Sequence, residues 1–252
     1  MNEVRQRLRR GAYLLPSMFT IGNMLLGFYA VVRGMRGDFQ LAAVLVFSAG
    51  ILDGLDGRIA RMTGTESDFG KEYDSLADVL TFGAAPALLA YFWGLQDLGR
   101  IGWLAPFFFI VCTATRLARF NVQTKTVDKR YFVGLPTPAS AGGICSILFF
   151  APDSSSIPLL PWLMAAALLL LGALMVSTFR YHSFKQLDLR RRWSYRVILL
   201  LAAIVLLVAH HPPAFFLAVA VVYIASGPLA WVWGRLRRGH GTPQATPPEG
   251  TS

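Results

Sequence analysis

The architecture of this chain depends on two short motifs, Asp53-Gly-Leu-Asp56-Gly-Arg-Ile-Ala-Arg61 and, after eight residues, Gly70-Lys-Glu-Tyr-Asp74-Ser-Leu-Ala-Asp78. They place four aspartates in or beside long apolar segments. Each such charge costs about 2.5–3.5 kcal/mol to insert into a bilayer on insertion scales. Four carboxylates in so short a stretch therefore require a cation that neutralises them.

The spacing of the aspartates predicts where they point. Asp53 and Asp56 are three residues apart, and Asp74 and Asp78 are four apart, so each pair lies on one face of a helix. A turn near residues 62–70 would let the two pairs face each other. Carboxylate oxygens suit Mg²⁺ or Mn²⁺, and the cluster contains no His or Cys that would favour zinc. Two such ions would clamp a pyrophosphate.

The residues between the aspartates fit a phosphate ligand. Gly57 leaves room for a ligand to approach the helix, and Arg61 can pair with phosphate oxygens as a bidentate donor. An aspartate at the end of the cluster can take a proton from an incoming hydroxyl. These residues predict divalent-metal and phosphate chemistry in a membrane protein, and they do not by themselves name the reaction.

The composition points to a membrane protein. Of the 252 residues, 54% are hydrophobic and 15% are charged, whereas soluble domains carry roughly 25% charged residues. Because a spanning helix needs about 20 mostly apolar residues, we expect an all-α, polytopic membrane helix bundle with eight spans, or six if the last two form a re-entrant pair. The candidate spans are 14–33, 39–61, 75–95, 101–119, 137–152, 157–178, 195–210 and 213–233.

The basic residues predict the orientation. The chain has 24 Lys and Arg and a net charge of +10, and with eight spans all of them except Arg33, Arg36 and Arg100 fall on one side. The positive-inside rule then places both termini in the cytoplasm. Because these residues flank apolar runs, nucleic-acid binding is disfavoured. The Gly-, Pro- and Thr-rich tail, 239–252, is expected to be disordered.

The aspartate stretch also resembles a known signature, D-x2-D-G-x2-A-R-x8-G-x3-D-x3-D, of the CDP-alcohol phosphatidyltransferase family. Its fixed positions are Asp53, Asp56, Gly57, Ala60, Arg61, Gly70, Asp74 and Asp78. The resemblance covers roughly residues 12–185. It implies a six-helix core in a domain 1–185, a cytoplasm-facing cavity and a homodimer. The two additional C-terminal membrane helices expected in 186–238 from the apolar runs lie beyond the resemblance.

The resemblance also implies roles for the signature residues. Two metal ions would sit on the four aspartates, and Asp78 would be the general base. The CDP site would be lined by Gly57, Ala60, Arg61 and Gly70. The acceptor hydroxyl would attack the β-phosphate and release CMP.

Residues 16–27, 116–121 and 132–139 are similar to the bacterial phosphatidylserine synthase branch of that family. This similarity implies CDP-diacylglycerol and L-serine as substrates and the bacterial inner membrane as the location. Arg116 and Arg119, three apart at a helix end, can both face the cavity, and an arginine fork matches the carboxylate of serine. The alternative is that both arginines anchor the helix at the lipid headgroups.

Three other functions remain open from the sequence. The same reaction can take another acceptor, such as glycerol 3-phosphate, inositol phosphate or choline. Intramembrane carboxylates also mark cation transporters, although here they cluster at one end of one helix pair and the chain shows no internal repeat. A membrane scaffold is the third, because Gly50, Gly54 and Gly57 would permit close helix packing.

Overall fold

A computed structural model of the chain describes residues 2–63, 67–123, 131–154, 157–182 and 210–238, with the backbone alone for 2–17, 60–61, 63, 123, 131–132, 180, 182, 232, 234 and 236–238. The helices are α1 Asn2–Gly34, α2 Phe39–Thr63, α3 Asp68–Asp78, α4 Ala85–Gly94, α5 Arg100–Gln123, α6 Thr137–Phe150, α7 Leu160–Val176 and α8 Pro212–Arg238. A π-helical segment, Val79–Ala84, joins α3 to α4, and a 3₁₀ turn, Leu95–Leu98, follows α4. Two short strands, β1 Tyr131–Val133 and β2 Arg180–His182, complete the described elements.

The apolar helices confirm the expected polytopic membrane bundle. Among the described residues, four helical segments are long and apolar enough to cross a bilayer: Phe39–Ile59, Asp68–Leu98, Arg100–Val122 and Pro212–Trp231. Three shorter apolar helices accompany them: Met18–Gly34, Thr137–Phe150 and Leu160–Val176. The six-plus-two count stays a prediction, because residues 195–209 of the expected seventh span lie outside the described residues, as does the tail 239–252.

Asp38 sets the turn between α1 and α2. Its Oδ1 accepts a hydrogen bond from the backbone N–H of Leu41 at 3.2 Å, as an N-cap residue does at the start of a helix. Its other carboxylate oxygen pairs with the Arg33 guanidinium. The Arg33 hydrogen bond, followed by the one from Leu41, lowers the pKa of the Asp38 carboxyl. These contacts reverse the chain so that α2 packs along α1.

The third helix begins earlier than its hydropathy predicts. The expected span was 75–95, but α3 starts at Asp68 because Ser67 caps it, with Ser67 Oγ accepting from the Gly70 N–H at 3.0 Å. The first turns of α3 are polar, so an apolar-window search passes over them. The helical path then continues through the π segment and α4 to Leu98.

Small residues let the helices approach closely, as is usual in membrane bundles. Ala42, Ala43 and Ala49 of α2 are fully buried. At Gly27 of α1, an added Cβ would lie 2.9 Å from the Cα of Thr81. Helix α1 therefore touches the π segment backbone to backbone.

Two loops at the same end of the bundle meet as an antiparallel strand pair, with Phe132 opposite Tyr181. This pair is a small addition to the all-α fold, and it satisfies backbone groups that a buried loop would otherwise leave unpaired. Tyr181 is fully buried, and its Oη donates to the carbonyl of Ile224 on α8 at 3.2 Å. Burial raises the pKa of Tyr181 to about 12, so the phenol keeps the proton that it donates. The strand pair thereby holds α8 against the bundle.

Candidate metal centre

Three carboxylates meet where α2 faces α3. Asp53 of α2 and Asp74 and Asp78 of α3 each offer an oxygen, and these oxygens all lie within 4.8 Å of one another. The helical period explains the meeting, since residues four apart on α3 share one face. The donor set consists of carboxylate oxygens, which hard divalent cations such as Mg²⁺ prefer.

Asp56 borders this group and is held in a different way. It is 6% exposed, and its Oδ2 accepts a hydrogen bond from Thr20 Oγ1 of α1 at 2.8 Å. Its Oδ1 is buried and has no hydrogen-bond partner among the described residues. The charge of Asp56 acts on Asp74, so the carboxylate belongs to the same electrostatic site. Thr20 fixes one oxygen of Asp56 and leaves the other available.

Asp78 is the most buried carboxylate of the three that meet. It is 9% exposed, and within the described part of the chain its Oδ1 finds no hydrogen-bond partner. The negative charges of Asp53 and Asp74 act on it, and the positive charge of Arg116 opposes them. A buried charge without a partner is costly. The two unpartnered oxygens, on Asp56 and Asp78, together with the carboxylate donor set, fit a divalent cation.

The glycines expected at the CDP site lie on both helices. Gly57 is half-buried on α2, one position after Asp56. Gly70 is the third residue of α3, and its N–H is bound by the Ser67 cap. Ala60 and Arg61 lie on α2, but their side chains are outside the described part of the structure. A contact between Arg61 and phosphate therefore stays a prediction.

The two arginines of α5 reach different partners. Arg116 is 8% exposed, and its Nη1 donates to Thr137 Oγ1 at the start of α6 at 3.2 Å. Its Nε is buried without a partner among the described residues, and its charge interacts with Asp78. Arg119 Nη1 instead donates to the carbonyl of Val176, the last residue of α7, at 3.0 Å. The structure thus brings Arg116 to the aspartates and directs Arg119 to the end of α7.

Asn121, which the sequence pattern included without assigning a role, connects α5 to the aspartate helix. Its Nδ2 donates to Ser75 Oγ at 3.0 Å and to Glu72 Oε2 at 3.2 Å. Ser75 follows Asp74 directly. The contact therefore steadies the part of α3 that carries the metal-site carboxylates.

Comparison with known proteins decides the family. The family model described as CDP-alcohol phosphatidyltransferase matches residues 13–178. The chain belongs to this family. As a CDP-alcohol phosphatidyltransferase it is an integral membrane protein of a class that depends on divalent cations, and the aspartate cluster offers the donors for such an ion.

Relatives with curated names span most of this CDP-alcohol phosphatidyltransferase. A protein of Helicobacter pylori (strain ATCC 700392 / 26695) is 38% identical over 228 residues, which cover 88% of this chain and 92% of the relative. A protein of Bacillus subtilis (strain 168) is 34% identical over 172 residues, 68% of this chain and 92% of the relative. A protein of Methanocaldococcus jannaschii is 33% identical over 157 residues, 61% of this chain and 70% of the relative. All three are named CDP-diacylglycerol–serine O-phosphatidyltransferase.

The CDP-alcohol phosphatidyltransferase match ends two residues after α7, so α8 lies beyond it. Helix α8 nevertheless packs on α6, where an added Cβ on Gly143 would lie 3.0 Å from Ile224 Cδ1. It also packs on β2, where Gly227 leaves room for the ring of Tyr181. The helix beyond the match is therefore part of the same packed bundle.

Proposed function

We propose that the protein transfers the phosphatidyl group of CDP-diacylglycerol to the hydroxyl of L-serine, giving phosphatidylserine and CMP. The observation that carries the proposal is the meeting of Asp53, Asp74 and Asp78 in a chain that aligns over 88% of its length with a relative of that name. In the reaction, the serine oxygen forms a bond to the β-phosphorus. The bond from that phosphorus to the CMP oxygen breaks, and CMP leaves.

The aspartates are proposed to hold two divalent ions, Mg²⁺ or Mn²⁺. Asp53, Asp74 and Asp78 supply the oxygens that already lie together, and Asp56 supplies Oδ1, which has no hydrogen-bond partner in the described part of the chain. When bound, such ions neutralise the diphosphate and stabilise charge on the attacking and leaving oxygens. Thr20 keeps the Asp56 carboxylate in one orientation by donating to its other oxygen.

Asp78 is proposed as the general base. A base must lie within hydrogen-bond reach of the proton that it removes, and Asp78 has a buried oxygen that no described group occupies. The charges of Asp53, Asp74 and Arg116 all act on Asp78, which supports a role beside both the metal ions and the acceptor. It would accept the proton of the serine hydroxyl as the new P–O bond forms.

Arg116 is proposed to bind the serine carboxylate. Its guanidinium is buried, its Nη1 is fixed by Thr137, and its Nε points into the interior without a partner in the described residues. A guanidinium matches a carboxylate through two parallel N–H groups. Arg119 is proposed to line the same pocket but to contribute less to serine binding, because one of its N–H groups already binds the carbonyl of Val176.

The CDP moiety is proposed to lie along α2 and the start of α3, beside Gly57, Ala60, Arg61 and Gly70. The signature spacing supports this placement, and Gly57 follows the Asp56 that borders the metal site. Arg61 would pair with the phosphates through its guanidinium fork. Ala60 and the two glycines would keep side-chain bulk away from the nucleotide.

The distribution of Lys and Arg supports an active site and both termini on the cytoplasmic side of a bacterial inner membrane. The proposed organisation is a catalytic domain in 1–185 and a homodimer, as the family resemblance implies, with two further membrane helices in 186–238, which the apolar runs indicate.

An acceptor panel tests the reaction. Purified protein in detergent, with CDP-diacylglycerol and Mn²⁺, is given L-serine, glycerol 3-phosphate, inositol phosphate or choline in turn, and CMP release is measured. We expect L-serine to support CMP release and EDTA to stop it. Release with glycerol 3-phosphate and none with L-serine would overturn the choice of acceptor.

A further inference from the structure

Asn23 of α1 is buried with its side chain unsatisfied. It is 1% exposed, and neither its Nδ2 nor its Oδ1 has a hydrogen-bond partner among the described residues. Buried polar side chains are nearly always paired, so an exception needs an explanation. A carboxamide that packs against apolar helices without a partner destabilises the protein that carries it. A ligand that supplies the missing partners would explain why the residue is there.

The position of Asn23 connects it to both aspartate helices. Thr20, three residues earlier on the same face of α1, donates to Asp56 of α2. The main-chain carbonyl of Asn23 accepts from Thr81 Oγ1 at 3.3 Å, and Thr81 lies three residues after Asp78. Asn23 therefore lies between the α2 aspartate and the end of α3.

The direction of the side chain follows from helix geometry. Side chains on an α-helix lean toward its N-terminus, so the Asn23 carboxamide leans from the level of Thr81 toward that of Thr20 and Asp56. The opposite direction is closed, because Gly27 brings α1 into backbone contact with the π segment. The carboxamide thus leans toward the level of Asp56, whose Oδ1 also has no hydrogen-bond partner among the described residues.

We infer that Asn23 is a further substrate-binding residue, whose Nδ2 donates a hydrogen bond to a diphosphate oxygen of the CDP-lipid. This inference rests on the proposed function. Diphosphate oxygens accept hydrogen bonds, and the ionised carboxylates around them donate none. A neutral N–H donor on the α1 side therefore complements both the ligand and the aspartates.

Asn23→Leu separates this role from a structural one. Leucine has the same branched shape and no polar atoms, so the variant loses an unsatisfied group. Its melting temperature without ligand should equal or exceed that of the wild type. The KM for CDP-diacylglycerol should rise at least about tenfold, the equivalent of roughly 1.4 kcal/mol, and the KM for L-serine should change much less. Ile21→Ala, on the 54% exposed outer face of the same helix, is the matched control and should leave both KM values unchanged.

Asn23→Asp decides which end of the carboxamide acts. It keeps the shape but replaces the N–H donor with a negatively charged acceptor. We expect it to lose more affinity for CDP-diacylglycerol than Asn23→Leu does. If Asn23→Asp retained activity and needed less Mn²⁺, Oδ1 would be a metal ligand and the inference would be wrong.

Thermal shift with CDP-diacylglycerol and Mn²⁺ keeps the inference and the proposed function distinguishable. The wild type should melt at a higher temperature with this ligand, and Asn23→Leu should show a smaller rise. An equal rise in both proteins, with equal KM values, would overturn the role of Asn23 and leave the reaction standing. If the ligand stabilised the wild type but no acceptor gave CMP release, the proposed reaction would be wrong. The melting temperatures of the wild type and of Asn23→Leu with ligand would still decide the role of Asn23.

Discussion

Thr20→Val tests how the Asp56 carboxylate is held. The substitution keeps the β-branched shape and removes the hydroxyl that donates to Asp56 Oδ2 at 2.8 Å. Because Asp56 Oδ1 already has no partner among the described residues, the variant leaves both oxygens without a partner there, and the carboxylate loses its fixed orientation. A hydrogen bond to a charged group contributes about 1.5–3 kcal/mol, and residues that orient metal ligands typically contribute about 10–100-fold in metal affinity.

The assay is CMP release from CDP-diacylglycerol and L-serine across a Mn²⁺ titration. For Thr20→Val, we expect the half-maximal Mn²⁺ concentration to rise by about 10–100-fold, with a smaller fall in the rate at saturating metal. Thr20→Ser keeps the donor and is the matched control, so it should titrate like the wild type. An unchanged titration for Thr20→Val, or an equal loss in Thr20→Ser, would refute the idea that the hydroxyl orients Asp56.

Four further substitutions test the remaining assignments. Asp78→Asn should lower CMP release by at least about 100-fold while the melting curve in detergent stays close to that of the wild type; retained turnover would remove Asp78 as the base. Arg116→Lys keeps the charge but loses the fork, so the KM for L-serine should rise about tenfold or more, whereas Arg119→Ala should change thermal stability more than it changes that KM. Gly227→Ala would put a Cβ 2.4 Å from the buried tyrosine ring of β2 and should destabilise the protein by about 1–3 kcal/mol in thermal melts. Gly142→Ala, whose nearest neighbour lies at 4.0 Å, is the control and should melt like the wild type.

The sequence predicted the features that depend on local periodicity. Apolar runs predicted the membrane helices, and the four-residue spacing predicted that Asp74 and Asp78 share one face. The start of α3 was predicted too late, because Ser67 marks it through a cap whose polar first turn has no hydropathy signal. A search for capping residues before the aspartates would have found it.

The contacts between distant residues were beyond prediction from one sequence. Thr20 and Asp56 are 36 positions apart, and no local pattern pairs them. Arg116 and Arg119 were expected to face one cavity because they are three apart. Their guanidinium groups contact α6 and α7 respectively, partners that helix spacing alone does not predict, and the shared pocket stays a prediction.

The role of Tyr181 was missed for a similar reason. A tyrosine just after an apolar helix is typical of an interfacial anchor. Tyr181 is instead fully buried, and its Oη donates a hydrogen bond to the carbonyl of Ile224. Its environment is created by the glycine at position 227, 46 residues further along the chain. The hydrogen bond that holds α8 against β2 thus depends on residues from two distant segments, and no sequence motif links them.

The π segment that follows Asp78 makes chain length itself a functional constraint. A π turn accommodates roughly one residue more than an α turn, and one residue corresponds to about 100° of rotation in an α-helix. Loss of a single residue from Val79–Ala84 would let the helix tighten and would swing Asp74 and Asp78 away from Asp53, although every carboxylate would still be present. Descendants of this protein are therefore constrained in the number of residues in this segment, in addition to the packing of its buried side chains.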